Sequence, residues 1–142
     1  MYVFPSPAEK SAHLGVSYEF VENGRYKSSI NPEEADRVVE IVRKIITETP
    51  DRSVGVVAVN QPQKELLVER FDRMFAENSN LEAYRALWAG GLEEFFVKNL
   101  ENVQGDERDI IVISTVYGPD TSGGPVYQRF GPINSNVGHR RL

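Results

Sequence analysis

The sequence predicts an α/β domain with a mainly parallel β-sheet, and two observations favour this fold class. Segments with helical and with strand character alternate along the chain, as they do where helices cover a parallel sheet. The strand segments are also short apolar runs without polar alternation, which is typical of strands buried on both faces. The chain has 142 residues, the size of one domain, and folding is expected to bury roughly two-thirds of its unfolded surface.

The first predicted helix carries a full set of start signals. Asn31 is a suitable N-cap, Pro32 suits the first turn, and the acids after it favour the positive end of the helix dipole. Apolar residues then repeat at helical spacing to about Glu48. A second helix is predicted to begin after residues 60–63, and a third to span about residues 80–89. The expected apolar face of the third helix comprises Leu81, Tyr84, Leu87 and Trp88.

Four short segments predict the strands of the sheet. They are residues 14–21, 53–59, 95–100 and 110–116. Only residues 101–109 separate the last two strands, whereas a parallel crossover normally needs about a dozen residues or more. The pattern alone therefore leaves a hairpin open at this point. Residues 1–13 predict a leading segment without periodicity, and the glycine-rich and proline-rich tail from Tyr117 predicts a long loop.

The composition excludes several kinds of site. The chain has no cysteine, which excludes disulfides, thiolate metal ligands and cysteine nucleophiles. Its only histidines, His13 and His139, lie at opposite ends, so no multi-histidine metal site is expected. Carboxylate sites for Mg²⁺ stay open at this stage, although no metal-binding residue is assigned. The net charge of -5 argues against a whole-surface attraction to nucleic acid. No apolar run is long enough to cross a membrane and no signal peptide follows Met1, so a cytoplasmic protein is expected.

Two polar segments follow predicted strands and are candidate sites. Residues 60–63 follow the first buried strand, and residues 99–109 follow the next strand along the chain. Ligands of open α/β sheets bind beyond the carboxyl ends of the strands. Gln104 and Glu107 are therefore candidates to face a nucleotide, with Gly105 allowing the bend between them. A structural interpretation stays open for both segments, with Asn60 as a helix cap and residues 99–109 as a charged surface turn.

Two motifs that carry catalytic chemistry are missing from the sequence. The chain has no phosphate loop of the form G-x-x-x-x-G-K-[ST], which holds the phosphates of ATP. It also has no G-x-S-x-G nucleophile motif. The chain by itself is therefore not expected to hydrolyse ATP.

Several motifs resemble those of superfamily 1B helicases. Residues 103–114 read VQGDERDIIVIS and resemble motif V, in which Q-G-x-E-x-D precedes apolar residues and a serine. Residues 55–63, GVVAVNQPQ, are similar to motif IV, a buried strand followed closely by glutamine. Residues 31–35, NPEEA, resemble the N-x-x-E-A segment that opens the first helix of the same lobe. The tail resembles the approach to motif VI, with FGPIN at residues 130–134 and GHRRL at residues 138–142.

The resemblance covers about residues 14–142 and implies the second RecA-like lobe of a helicase, a three-layer sandwich with a mainly parallel sheet. Within the family, residues 95–109 look like a branch of large bacterial helicase-like proteins that often carry a restriction-endonuclease-like segment. The strands that flank motif V are implied to be parallel neighbours joined by a short helical turn. The family's arginine finger lies in T-R-A, beyond Leu142, so the resemblance implies a fragment truncated within motif VI and inactive alone.

The resemblance also assigns binding roles. ATP and Mg²⁺ are expected in the full-length protein, between this lobe and an N-terminal RecA-like lobe of the same parent chain, and no cofactor is expected on the fragment. The implied ATP-binding residues are Gln104, Gly105, Glu107, Arg140 and Arg141. The implied contacts to single-stranded nucleic acid, DNA in preference to RNA, are Asn60, Gln63, Lys98 and Asn99. Family members often have an arginine near Asn31, where this sequence has Pro32 and Glu33.

Two other functions remain open from the sequence. One is a non-catalytic α/β module that binds protein or nucleic acid. The other is a doubly wound domain that binds a small molecule. The second of these predicts a closed pocket within the domain, whereas a motor lobe predicts an open face that a partner lobe completes.

Overall fold

The computed structural model of the chain describes residues 15–121 and 124–126. Its elements, in order, are α1 (Pro32–Glu48), β1 (Val54–Ala58), α2 (Gln61–Glu77), α3 (Ser79–Trp88), β2 (Phe96–Asn99), the short 3-10 helix η1 (Leu100–Asn102) and β3 (Ile110–Ser114). The predicted α/β fold class is confirmed, because helices cover a three-stranded sheet whose two strand pairings are both parallel. Within the described ranges, no helix has the length and apolar character needed to cross a lipid bilayer.

The sheet has the order β2-β1-β3, so β1 is its central strand. Val56 lies opposite Val97 on one side and Val112 on the other. All five residues of β1 are buried, which explains why this segment has no polar alternation. The connection after β2 does contain the short helical turn and does lead into a parallel strand. However, the expectation that β2 and β3 are neighbours is wrong, because β1 lies between them.

All three α-helices pack on the same face of the sheet and form the main core. The residues of β1 that face these helices are Val54, Val56 and Ala58. Phe71 and Phe75 of α2 each lie 5.2 Å, centroid to centroid, from the ring of Phe95, in edge-to-face contact. Such aromatic pairs add about 0.5–1.5 kcal/mol beyond the area that they bury. This core anchors the helices whose first turns lie at the carboxyl edge of the sheet.

The second face of the sheet is covered differently. The ring of Phe96 lies on Gly55, and with Val57 and Leu100 it forms a small separate cluster. No helix of the described residues covers the β3 side of this face, where Ile111 and Ile113 are 40% and 52% exposed. The resemblance implies three layers, but the described residues form two, a sheet and one layer of helices on one of its faces.

Both long helices begin as their sequences predict. The Asn31 side chain accepts a hydrogen bond from the backbone N–H of Glu34, and Pro32 occupies the first turn of α1. The Asn60 side chain likewise accepts from the N–H of Gln63 at the start of α2. The cap role of both asparagines is confirmed. Each such cap stabilises its helix by about 1 kcal/mol relative to alanine.

Two predictions about apolar residues are wrong. The described part of the 14–21 segment is not a strand, and the side chains of Val16, Tyr18 and Phe20 are exposed. No described strand lies beside this segment to pair with its backbone, so its β propensity is not realised. Leu87 is also 73% exposed, whereas Trp88 packs against the core. Helical spacing explains this, because Leu81, Tyr84 and Trp88 are three and four residues apart and share one face. Leu87 follows Leu81 by six residues and lies to one side of that face.

The phenol of Tyr84 leads to a testable pH dependence. Its hydroxyl donates to the carbonyl of Arg52 at 2.7 Å, and burial raises the pKa of Tyr84 to about 12. The unfolded phenol has a pKa of about 10, so the folded state favours the protonated form. This contribution to stability is complete below pH 10 and is lost as the pH rises from about 10 to about 12.

We therefore expect urea midpoints of the wild type to fall more steeply between about pH 10 and about pH 12 than those of Tyr84→Phe, which lacks the titrating group. Tyr18→Phe, at an exposed position, serves as the control and should follow the wild type. Parallel pH profiles for wild type and Tyr84→Phe would contradict the assignment.

Candidate nucleotide and nucleic-acid site at the carboxyl edge of the sheet

The three strands end at one edge of the sheet, and this edge carries the candidate site. Ala58 pairs with Asn99 of β2 and with Ser114 of β3, so the last residues of the strands are in register. Asn60 and Gln61 follow directly and begin α2. The motif IV and motif V segments therefore meet at the edge where ligands of open α/β sheets bind.

Amide side chains form a polar row along this edge. The Asn99 amide donates to Oε1 of Gln61 at 3.0 Å, and the Asn60 amide donates to the carbonyl of Ser29 at 2.9 Å. Oδ1 of Asn99 is enclosed and receives no hydrogen bond. An enclosed acceptor without a donor costs about 1–3 kcal/mol, so this position is not optimised for stability alone.

Gln63 lies beneath the row and is fully buried. Its Oε1 accepts from the backbone N–H of Asn31 at 2.8 Å. Its amide nitrogen donates to the carbonyl of Asn31 at 3.1 Å and to Oγ of Ser114 at 3.2 Å. The predicted contact of Gln63 with nucleic acid is therefore wrong, because the side chain points into the protein and its polar groups are engaged there.

Glu34 completes this buried network, and sequence reasoning gave it no role beyond the start of a helix. Its Oε1 accepts from Oγ of Ser114 at 2.6 Å and from the backbone N–H of Val116 at 2.9 Å. The Asn31 amide donates to the carbonyl of Val116 at 3.2 Å. These bonds hold Val116 at a φ of +66°, which ends β3 two residues earlier than predicted. The N-x-x-E-A segment and the serine closing motif V were the signals for this pairing.

Lys98 and Asn99 point to opposite faces of the sheet, as successive strand residues must. Nζ of Lys98 donates to Oδ2 of Asp106 at 2.7 Å and lies 4.9 Å from the ring centroid of Phe96. The Lys98 ammonium is therefore on the face opposite α2, whereas the Asn99 amide reaches Gln61. Of the predicted nucleic-acid contacts, only Asn60 and Asn99 come together at the polar row.

The predicted ATP-binding bend lies elsewhere. Gln104, Gly105 and Glu107 are all exposed, and Gly105 has the left-handed φ of +86° that favours glycine. After η1 the chain returns along β2, because Arg108 donates to the carbonyl of Glu94 at 3.0 and 2.7 Å. Glu107 therefore lies toward the amino end of β2, away from Asn60 and Asn99. Arg140 and Arg141 lie outside the described residues.

The aspartate of motif V has a structural role at the opposite edge. Oδ2 of Asp109 accepts from the backbone N–H and the Oγ of Ser53, at 2.9 and 3.1 Å. The N–H of Asp109 donates to the same Oγ at 3.0 Å. The hydrogen bonds from Ser53 lower the pKa of the Asp109 carboxyl. Asp109 thus fastens the start of β3 to the start of β1.

The described residues do not form a complete site for ATP and Mg²⁺. In the described ranges, no three acidic or histidine side chains are grouped so that they could hold a metal ion. The exposed bend offers one amide and one carboxylate, and the sequence has no phosphate loop. One groove lies along α1 and another lies between α1 and α2, and both are open to solvent. Neither is the closed pocket expected for a small-molecule-binding domain.

Comparisons with known proteins agree with this architecture. A family model described as an AAA domain matches residues 3–131, most of the chain. The chain is similar to the uncharacterized ATP-dependent helicase MG140 of Mycoplasma genitalium, with 32% identity, and to its homolog in Mycoplasma pneumoniae, with 31%. Each match covers 99% of this chain and 12% of the relative, so the chain spans about an eighth of their length. No solved structure matches the chain significantly. Because the family model covers nearly the whole sequence, the chain belongs to this AAA domain family.

Proposed function

We propose that this domain is the second, C-terminal RecA-like motor lobe of a superfamily 1B ATP-dependent helicase. Two relatives named as ATP-dependent helicases support a helicase role, and they are long enough to contain a first lobe elsewhere in the chain. Residues 95–109 further suggest the branch with a restriction-endonuclease-like segment. In this proposal the domain is inactive alone, and a partner lobe of the same parent chain supplies the phosphate loop and the magnesium-binding acid.

The observation that carries the proposal is the polar row at the carboxyl edge. Asn99, the last residue of the strand that precedes motif V, pairs with Ala58, two residues before Asn60 of the motif IV segment. Amides of this kind hydrogen-bond the phosphates and sugars of a nucleic-acid strand without reading its sequence. The row is open to solvent on one side, as a surface shared with another lobe must be.

Charge sets the expected strength of strand binding. The chain has a net charge of -5, so long-range attraction does not assist binding. We therefore expect weak binding of single-stranded DNA by the chain alone, through short-range contacts. ATP, Mg²⁺ and the first lobe are part of the proposal for the full-length protein, in which Gln104, Gly105 and Glu107 would contribute one side of the nucleotide site.

The row is tested by anisotropy titration of a labelled oligothymidylate of about 12 nucleotides at low salt. Asn99→Ala should weaken binding about fivefold to tenfold, because it removes one side chain from a small contact surface. Asn80→Ala at the exposed start of α3 is the matched control and should leave the affinity unchanged. Lys44→Ala, on the exposed face of α1, controls for a general loss of positive charge.

Equal affinities for wild type and Asn99→Ala would remove the row from the proposal. The same preparations should show no ATP turnover, because the chain lacks a phosphate loop. Robust turnover that Glu107→Ala abolishes would show that the domain is complete in itself and would contradict the motor-lobe assignment.

A further inference from the structure

We propose that Tyr26 and Tyr117 form a nucleobase-stacking platform at the carboxyl edge of the sheet. The proposal rests on the proposed function, since it extends the polar row into a surface that takes the bases of a strand. The two ring centroids are 5.6 Å apart and the ring planes are inclined at 53°. Tyr117 lies three residues beyond the end of β3, and Tyr26 lies in the loop that leads into α1.

The two rings are not part of the protein's core. Both are partly exposed, and neither belongs to the buried clusters on the two faces of the sheet. Burial raises the pKa of the Tyr117 phenol, which strengthens its preference for the neutral form. A partly exposed aromatic ring offers part of its apolar surface for stacking.

The loops that carry the rings are joined to each other. The backbone N–H of Tyr26 donates to the carbonyl of Pro119 at 3.0 Å. Lys27 and Ile30 exchange two backbone hydrogen bonds, at 3.0 and 3.1 Å, which close the turn after Tyr26. These bonds fix the ring pair in place before any ligand arrives, and preorganisation of this kind lowers the entropy cost of binding.

Backbone strain is concentrated in the same two loops. In the described ranges, the non-glycine residues with positive φ are Ser28, Ser29 and Val116, at 52°, 67° and 66°. Two of them follow Tyr26 closely and the third precedes Tyr117. A β-branched residue such as Val116 is a true outlier in this region, and each such residue costs about 1–3 kcal/mol. Residues held in this way cluster at ligand-binding sites, where the surrounding structure compensates for the strain.

Hydrogen bonds from polar side chains described above stabilise the strained backbone of both loops. Glu34 and Asn31 bind the N–H and the carbonyl of Val116. The Asn60 amide binds the carbonyl of Ser29 at 2.9 Å, which places the platform next to the polar row. A strand can therefore place its sugar-phosphate backbone along the amides and a base on the tyrosines. Base–aromatic stacking tolerates any base, which suits a motor that moves along arbitrary sequence.

The experiment uses the oligothymidylate and, as a second source of a nucleobase, AMP. Tyr26→Leu and Tyr117→Leu should each weaken oligothymidylate binding about fivefold to 100-fold, the range of single base–aromatic stacks. Tyr26→Phe and Tyr117→Phe keep a ring and should bind within about twofold of wild type. Tyr18→Leu, at an exposed position, is the matched control and should bind as wild type does.

A second measurement does not depend on the leucine variants folding. In a Trp88→Phe background, tyrosine emission should be quenched on addition of oligothymidylate. In the Tyr26→Phe, Tyr117→Phe double variant that quenching should disappear while the affinity is retained. Quenching by AMP, with no quenching by oligothymidylate, would support the platform and assign it to the base of a nucleotide.

Two outcomes would overturn the platform. If the wild type binds oligothymidylate and Asn99→Ala weakens it, but the leucine variants bind equally well and emission is unchanged, the platform fails while the proposed function stands. If the wild type binds neither oligothymidylate nor AMP at low salt, the platform and the strand-binding row fail together.

Discussion

Replacing Gly55 with alanine is expected to lower the free energy of unfolding by about 3 kcal/mol. A Cβ atom at this position would lie 2.5 Å from Cζ of Phe96 and 2.7 Å from its Cε1. Carbon atoms do not approach so closely, so either the ring or the central strand must move. Both choices are costly, because β1 is hydrogen-bonded to a neighbour on each side.

The ring of Phe96 has little freedom to move away from Gly55. It packs with Val57 and Leu100, and the cations of Lys98 and Arg108 lie 4.9 and 4.8 Å from its centroid. Displacing it would disturb both cation–π contacts as well as the small cluster. The contacts around the ring therefore increase the loss in free energy of unfolding expected for Gly55→Ala.

Gly91→Ala is the matched control for this substitution. Its nearest atom to an added Cβ is 3.5 Å away, an ordinary contact distance, so a near-neutral effect is expected. Urea unfolding followed by circular dichroism measures both variants. A Gly55→Ala midpoint equal to that of Gly91→Ala would show that the ring does not lie on the central strand.

Gln63→Leu is expected to cost a similar amount, about 3 kcal/mol, for a different reason. Leucine preserves the approximate volume but removes the partners of the Asn31 N–H, the Asn31 carbonyl and the Ser114 hydroxyl. The Asn31 carbonyl keeps its bond from the N–H of Ala35, and the Ser114 hydroxyl keeps its bond to Glu34. The main cost therefore comes from the buried N–H of Asn31, since a buried unsatisfied polar group costs about 1–3 kcal/mol. The expected loss is therefore larger than the net contribution of an average hydrogen bond.

The same substitution on the exposed side of α2 provides the control. Gln61→Leu makes the same change two residues earlier, at an exposed position. Water can hydrate the polar groups of Glu65 and Asn99 that lose their hydrogen bonds to Gln61, so the urea midpoint should shift little. Equal midpoints for Gln61→Leu and Gln63→Leu would mean that the Gln63 amide does not hold the interior together.

The local parts of the fold were predictable because their signals are local. Asn31 and Pro32 at the start of α1, and the apolar run of β1, each express a preference that the structure satisfies. Residues 14–21 show the limit of this approach. A strand needs a neighbour, and the presence of a neighbour depends on the whole chain rather than on the β propensity of the segment.

The candidate site was less predictable, because it depends on the directions of side chains. Lys98 and Asn99 are adjacent in sequence, yet the pleat sends them to opposite faces. Gln63, three residues beyond Asn60, is carried into the interior by the first turn of α2. Glu34 and Ser114 are 80 residues apart and share a hydrogen bond that the sequence of neither segment predicts by itself. Spacing identified the segments that matter but not which of their atoms face solvent.

The buried amide of Gln63 and the carboxylate of Glu34 also determine how this domain transmits force. Between them they tie the first turn of each long helix to the last residue of β3. A displacement of the end of β3 is therefore expected to move the starts of both helices together. The two helix starts and the end of β3 are therefore expected to move as one stiff body.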